Sequence, residues 1–188
     1  MKQARSTLGP EALGAMGSPA RFALFSHLAD HGPQTATQCA QVVGLTPSNC
    51  SWHLRALARA GLVERQPGDG DARMRPWRTT AGRFDLSGHG SPAASAAAAV
   101  VGQLLDERTE QLRQEHLVEL PDLPEAWRQV SGSHRLALQV TPDELGGIIE
   151  GVRGLLEDVR AGQRADVPAG AESVVFSFTS FPHPRRAG

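Results

Sequence analysis

Hydroxyl, amide, indole and guanidinium side chains recur along residues 46–60 at the spacing of a single helix face. Winding this segment at 100° per residue places Cys50, His53, Leu54 and Leu57 on one side, suited to a core, and polar groups on the other. The polar side holds Ser48, Asn49, Ser51, Trp52, Arg55 and Arg59. In the major groove, arginine can bond guanine bidentately, serine can bond base edges or phosphates, and an apolar ring can contact a thymine methyl. The pattern therefore predicts a DNA-contacting helix, with a solvated or protein-binding face as the alternative.

A second cationic group flanks a loop rich in Gly and Asp. Residues 62–66 and 74–80 are patterned as two strands, and the loop 67–72 between them suits tight turns. The four cations beside this loop are Arg65, Arg73, Arg75 and Arg78. On a protruding hairpin they can neutralise phosphates or enter a minor groove, although Asp69 and Asp71 leave an ordinary basic hairpin as the alternative. The Asp-Gly-Asp run lacks the further oxygen ligands and the closing Glu of a calcium loop.

Capping signals delimit a short helix before the polar face. Thr35 can accept from the backbone N–H three residues on, and Gln38 can reach back to complete a capping box. We expect Val42, Val43 and Leu45 to mark the buried end of this helix.

A turn and a second helix follow at once. Gly44 suits the turn, Thr46 suits the cap, and Pro47 suits the first helical position, where its missing N–H costs nothing. The helix can run to Ala60, because Gly61 is suited to a left-handed cap. With the hairpin, this order predicts a winged helix-turn-helix.

Upstream apolar residues supply a scaffold for these elements. One short helix carries Leu13 and Met16, and Ser18-Pro19 starts another. The buried face of the latter is formed by Phe22, Leu24, Phe25 and Leu28. With these residues, the segments GSPARFALFSHL and TATQCAQVVGLTPSNCSWHLRALARAGLV resemble ArsR-type winged-helix transcriptional regulators, over residues of about 10 to 85.

This resemblance implies a homodimeric, operator-binding regulator, usually a repressor released by an effector. It assigns groove reading to residues 46–60, with Ser48, Ser51, Trp52 and Arg55 as contacts, and it assigns the wing to residues 65–78. Double-stranded DNA and a second copy are the expected partners, and an effector of unidentified class, a small molecule or a protein, is the third.

Many members of that family sense metals through thiolates or through His and acidic groups. Here Thr35 and Thr37 stand at the usual thiol positions, and neither is a soft ligand. Cys39 and Cys50 lie eleven residues apart without a CxxC spacing, so we expect buried packing rather than a redox pair. The nearest cluster of other ligands is Glu115-His116 with Glu119, which we do not interpret as a metal site. No metal and no cofactor are expected.

The charge distribution is uneven although the net charge is only −1. Residues 1–90 hold ten basic against six acidic side chains, whereas residues 91–188 hold nine against fourteen. A cation excess beside the polar helix face is the electrostatic footprint of nucleic-acid binding. With no long apolar run, no signal peptide and only two Cys, we expect a cytoplasmic protein without membrane partners.

The remainder is patterned as a long helix and a small layer. Residues 93–120 form a long helix whose apolar stripe suggests a dimer seam: Ala97, Val100, Val101, Leu104, Leu105 and Leu112. Strands at 135–140 and 173–181 should flank an amphipathic helix that starts at Thr141, sharing a sheet with residues 77–86.

The expected fold class is therefore α+β. Its parts are a winged helix-turn-helix domain (8–86), a long dimerisation helix (93–120), a C-terminal α/β strand-helix-strand region (127–181) and a disordered tail (182–188). The function indicated is a sequence-specific DNA-binding transcriptional regulator, and the alternative is a winged-helix interaction or dimerisation module. An enzyme is not expected, because too little chain follows residue 90 for a cofactor domain and no nucleophile-base constellation is visible.

Overall fold

The computed structural model describes residues 8–66, 75–80, 86, 91–162, 168 and 170–182. The chain divides into two units, residues 1–118 and 119–188. Within the described residues, one two-stranded hairpin accompanies the helices. The elements are α1 (Pro10–Met16), α2 (Pro19–His31), α3 (Ala36–Val43), α4 (Pro47–Arg59), β1 (Val63–Arg65), β2 (Trp77–Thr79), α5 (Pro92–Glu119), a 3-10 turn (Leu120–Asp122), α6 (Glu125–Val130) and α7 (Pro142–Gly162).

The ends of α3 and α4 lie where the capping signals place them. The Thr35 hydroxyl accepts from the Gln38 backbone N–H at 3.3 Å, and the Gln38 side chain accepts from the Thr35 N–H at 2.8 Å. The Thr46 hydroxyl accepts from the backbone N–H three residues on at 3.2 Å. Gly44 and Gly61 have φ of 68° and 72°, the left-handed region in which glycine is favoured. The predicted helix-turn-helix is confirmed in its local geometry.

The core of the first unit contains side chains from helices α1, α2, α3, α4 and α5 and from the hairpin. The predicted scaffold residues are buried: Leu13, Met16, Phe22, Leu24, Phe25 and Leu28. Val43 and Leu45 pack partly against this core, whereas Val42 is 65% exposed. The prediction for Val42 was wrong, because the last turn of α3 presents to its neighbours only the side that holds Cys39 and Val43.

The hairpin is antiparallel and shorter than its sequence pattern. β1 and β2 pair Val63 with Thr79 and Arg65 with Trp77. The Gln34 backbone exchanges two hydrogen bonds with that of Trp77, at 2.9 and 2.7 Å, and so anchors the hairpin to the end of α2. The expected loop 67–72 and Met74 lie outside the described residues. No strand of the second unit joins this sheet among the described residues, which corrects the expectation of a shared sheet.

The first half of α5 packs on the core of its own unit. Ala94, Ala98 and Val101 are buried there, and Leu104 and Leu105 pack partly against the same cluster. Arg108 and Asp30 approach to 3.8 Å, which links α5 to α2. Much of the stripe that the sequence suggested for a symmetry mate is thus covered within the chain.

The second unit contains helices but no strand among its described residues. α7 begins at a capping box in which Thr141 and Glu144 exchange hydrogen bonds. The segments 135–140 and 173–181 run without a ladder, so the expected strand layer is corrected. A period-2 apolar pattern indicates a strand only where a partner edge satisfies the backbone, and none of the described residues supplies one. Of the expected tail, residues 183–188 lie outside the described residues. No described helix is both long and apolar enough to cross a membrane.

Candidate nucleic-acid interface

The reading face predicted on α4 lies opposite a fully buried face. Cys50, Leu54 and Leu57 have no exposed surface and pack against α1, α2 and α3. The side chains at Ser48, Asn49, Arg55 and Arg59 are exposed, Trp52 is 56% exposed, and Ser51 is half-buried. Because one face is fixed by the core, the direction of the other face is fixed as well.

Four of these side chains form one stripe. Ser48, Trp52, Arg55 and Arg59 follow one another at intervals of four, three and four residues, which places them in line on a helix. The thirteen residues of α4 span about 20 Å. This stripe combines a hydroxyl, a flat apolar ring and two cations along a rod of the width that a major groove admits.

The two arginines of this stripe have their donors available. Within the described part of the chain, neither Arg55 nor Arg59 forms an ion pair or a side-chain hydrogen bond. A guanidinium carries five N–H donors in a planar fork, which bonds two acceptors at once. Both side chains can therefore turn to an acceptor outside the protein without breaking a hydrogen bond to any residue that the structure describes.

The arginines of the hairpin are placed differently. Arg78 donates to Glu64 directly opposite it, with nitrogen–oxygen distances of 2.6 and 2.9 Å. The Arg65 guanidinium carbon lies 4.4 Å from the centre of the Trp77 ring, and its Nη1 donates to the Arg75 carbonyl at 3.4 Å. These interactions stabilise the hairpin, and they reduce the positive charge that Arg65 and Arg78 can offer to a phosphate. Arg75 is half-buried, and Arg73 lies outside the described residues.

His53 borders the reading face without belonging to it. Its ring meets that of Trp52 edge to face, with centroids 4.8 Å apart, and it is half-buried. Within the described residues, its Nδ1 is buried without a hydrogen-bond partner. Burial, and secondarily the charge of Arg21, lower the pKa of His53 below 6.5. The ring is therefore neutral at physiological pH and supports Trp52 by packing.

The two cysteines are buried and free, as the sequence predicted. Burial raises the pKa of Cys39 from 9.0 to about 11, with the nearby Cys50 adding to the shift, and it raises the pKa of Cys50 as well. Thiols that stay protonated at neutral pH are poor nucleophiles and poor metal ligands. Among the described residues, no three His, Cys, Asp or Glu side chains converge as a metal site, and Glu115, His116 and Glu119 are no exception.

The anchoring of the hairpin was missed by sequence reasoning. Gln34 pairs through its backbone with Trp77, and its side-chain oxygen lies 3.4 Å from Nε2 of the buried His27. Through this junction the wing is held to α2, which in turn packs against α4. The signal available was Trp77 itself, a large apolar residue inside an otherwise basic strand.

Comparison with known proteins supports a helix-turn-helix domain. A family described as a helix-turn-helix domain matches residues 16–66, which lie within the predicted range 8–86. A domain of this class serves in transcription regulators and is not catalytic, as the sequence predicted. A search of curated proteins found no match.

Several solved structures show a distant likeness. The MarR family regulator NMB1585 from Neisseria meningitidis is 17% identical, with 77% of this chain and 80% of that chain covered and a TM-score of 0.36. RV1404 from Mycobacterium tuberculosis is 19% identical, with 86% of each chain covered and a TM-score of 0.33. The MarR family transcription regulator SP03579 is 15% identical, with 82% and 80% covered and a TM-score of 0.34. Similarity this distant does not carry function to this chain.

Proposed function

We propose that this protein is a sequence-specific DNA-binding transcriptional regulator that acts as a homodimeric repressor. The observation that carries the proposal is the exposed stripe of α4, which stands opposite a fully buried face and contains two arginines without partners among the described residues. The helix-turn-helix match at residues 16–66 supports the same conclusion.

Each part of the interface has a distinct role in this proposal. Arg55 bonds a base edge, Trp52 supplies apolar contact, and Ser48 and Asn49 at the N-terminal end of α4 contact bases or phosphates, as the leading residues of recognition helices do. Arg59, at the far end, contacts the backbone. Among the wing arginines, Arg73 and Arg75 are assigned the phosphate contacts, because they flank the Gly- and Asp-rich loop of a basic hairpin.

The proposed dimer follows from the geometry of DNA operators. A single reading helix covers only a few base pairs, and two-fold operators are bound by two-fold proteins whose heads lie one helical turn apart. Two heads also double the number of phosphate contacts, on which affinity at physiological salt depends. We therefore propose that dimerisation precedes specific binding.

Selection of bound duplexes from a random library, with the purified full chain, tests the proposal. We expect one sequence motif to be enriched, with two-fold symmetry and half-sites about one turn apart. Failure to enrich any motif at moderate salt would contradict the proposal and favour an interaction module, for which the exposed Trp52 would be the natural contact.

A further inference from the structure

The second unit exposes apolar side chains that a folded domain normally buries. None of its described side chains is buried, and thirteen large apolar ones between residues 130 and 181 are more than a third exposed. On α7, Leu155 is 70% and Val159 is 56% exposed. On the extended segments, Leu136 is 84% and Phe176 is 60% exposed. This unit has the composition of a core without the packing of one.

The extended segments have the character of unfilled sheet edges. In 135–140 the large apolar residues alternate at Leu136, Leu138 and Val140. In 173–181, Val174, Phe176 and Phe178 share one face, and Val175 and Phe181 lie on the other. No backbone hydrogen bond joins either segment to another described residue. Alternation at period 2 is the pattern of a strand with one face covered, and exposed N–H and C=O groups are the template for another strand.

The area involved suits a stable interface between copies. A fully exposed side chain of this size presents roughly 60–120 Å² of apolar surface, and because these thirteen are 38–84% exposed they together present on the order of 700 Å². That is close to the roughly 800 Å² which each partner contributes to a standard interface.

We propose that the second unit is completed by the same unit of a second copy, with segments 135–140 and 173–181 pairing across a two-fold axis and the apolar face of α7 packed over them. This inference rests on the homodimer of the proposed function and assigns its interface to residues 130–181 rather than to α5, whose first half already packs on its own core.

Charge does not oppose pairing with an identical copy. Segment 173–181 has no Lys, Arg, Asp, Glu or Pro, the residues with which monomeric proteins block exposed edges, so two copies can pair without placing like charges opposite each other. A two-fold interface uses the same patch on both copies, and a neutral, alternating segment is complementary to itself.

Light scattering on the full chain tests this inference through paired variants. The wild type is expected at twice the chain mass of 20.0 kDa at micromolar concentration. Phe176→Asp with Phe178→Asp places charge on the proposed buried face, and we expect the dimer dissociation constant to rise about thirtyfold or more. Ser177→Asp adds a charge to the same segment on its opposite face and serves as the matched control, which we expect to remain dimeric.

A second variant and a second measurement distinguish a weakened dimer from a misfolded chain. Leu155→Glu charges the exposed face of α7, a single substitution that should weaken the dimer while far-ultraviolet circular dichroism keeps its helical signal. Hydrogen exchange should show protection of residues 173–181 that grows with protein concentration.

Three results would overturn the inference. One is protection of 173–181 that is independent of concentration, which would mean that the segment is covered within its own chain. The others are a wild-type monomer and charged variants that stay dimeric. Enrichment of a DNA motif by a chain whose charged variants stay dimeric would overturn only this inference and leave the proposed function standing, because DNA selection does not depend on where the copies meet. A wild-type monomer would contradict the proposed homodimer as well.

Discussion

At the scale of single residues, arginines with similar sequence settings make different interactions. Arg55 and Arg59 have no partner among the described residues, whereas Arg78 is paired with Glu64 and Arg65 covers the Trp77 ring. A surface ion pair contributes at most about 1 kcal/mol to stability, but it does lower the net charge that a phosphate meets. Under the proposed function, base reading therefore falls to α4, and the arginines at the base of the hairpin stabilise the hairpin.

Replacing Arg55 with alanine tests the reading role. We expect binding to the selected site to weaken by about 1–3 kcal/mol, because one bidentate base contact disappears, with little change in binding to unrelated duplex. Fluorescence anisotropy at fixed salt measures both affinities. Arg128→Ala, a matched change on α6, is the control, and equal affinity of the Arg55 and Arg128 variants for the selected site would remove Arg55 from the reading face.

The buried thiols predict a fall in stability at alkaline pH. The raised pKa of Cys39 means that the folded state keeps a proton which the unfolded chain releases from pH 9 upward, so stability is full below pH 9 and is lost as pH rises through about 11. The loss is on the order of 3 kcal/mol in the free energy of unfolding. The chain contains no Tyr and a single Lys, so few other groups titrate in this range.

Urea unfolding between pH 8 and 11 measures this effect. A Cys39→Ala/Cys50→Ala variant is less stable at pH 8, because it leaves cavities, but its stability should change less with pH. An equally steep pH dependence in the variant would show that another group is responsible.

At the scale of elements, what could be predicted depended on whether the determinant is local. The ends of α3 and α4 follow from Thr35, Thr46 and Gly61, whose capping geometry involves only neighbouring residues. The exposure of Val42 depends on where α3 packs, and the engagement of Arg78 depends on the register that sets it opposite a residue fourteen positions earlier. The prediction of C-terminal strands was wrong for the same reason: a strand needs a partner strand, and the apolar pattern of a segment does not specify that partner.

The wing offers a test of its phosphate-binding role. Replacing Arg73 and Arg75 with glutamine should weaken binding to all sequences and reduce the slope of log affinity against log salt by about 0.9 for each phosphate that the protein ceases to neutralise. Arg78→Gln is the matched control, and we expect a smaller change because Glu64 already engages that charge. A slope unchanged by the Arg73/Arg75 variant would exclude the wing from phosphate binding.

At the scale of the whole molecule, the two units differ in how much apolar side-chain surface they bury. Residues up to 118 enclose a continuous core that runs from Leu8 to Val101, whereas the described part of the second unit buries no side chain. The first unit thus has the packing to hold a reading face rigidly. The second has the exposed apolar surface that association requires.

Metal ions are expected to leave DNA binding unchanged. Thr35 and Thr37 offer no soft ligand, and both cysteine thiols are buried with raised pKa. Titration with zinc, nickel or arsenite should therefore not alter the affinity for the selected site. Stoichiometric, submicromolar binding of any of them that releases DNA would contradict this expectation.

The central claim is that α4 distinguishes one DNA sequence from others, and the ratio of two affinities tests it most directly. The measurement compares the selected duplex with a scrambled duplex of equal length and composition at one physiological salt concentration, using the full chain. Specific regulators bind their sites about 10³-fold or more tightly than unrelated DNA, and we expect a ratio in that range. A ratio near one, with wild-type folding confirmed, would contradict the account.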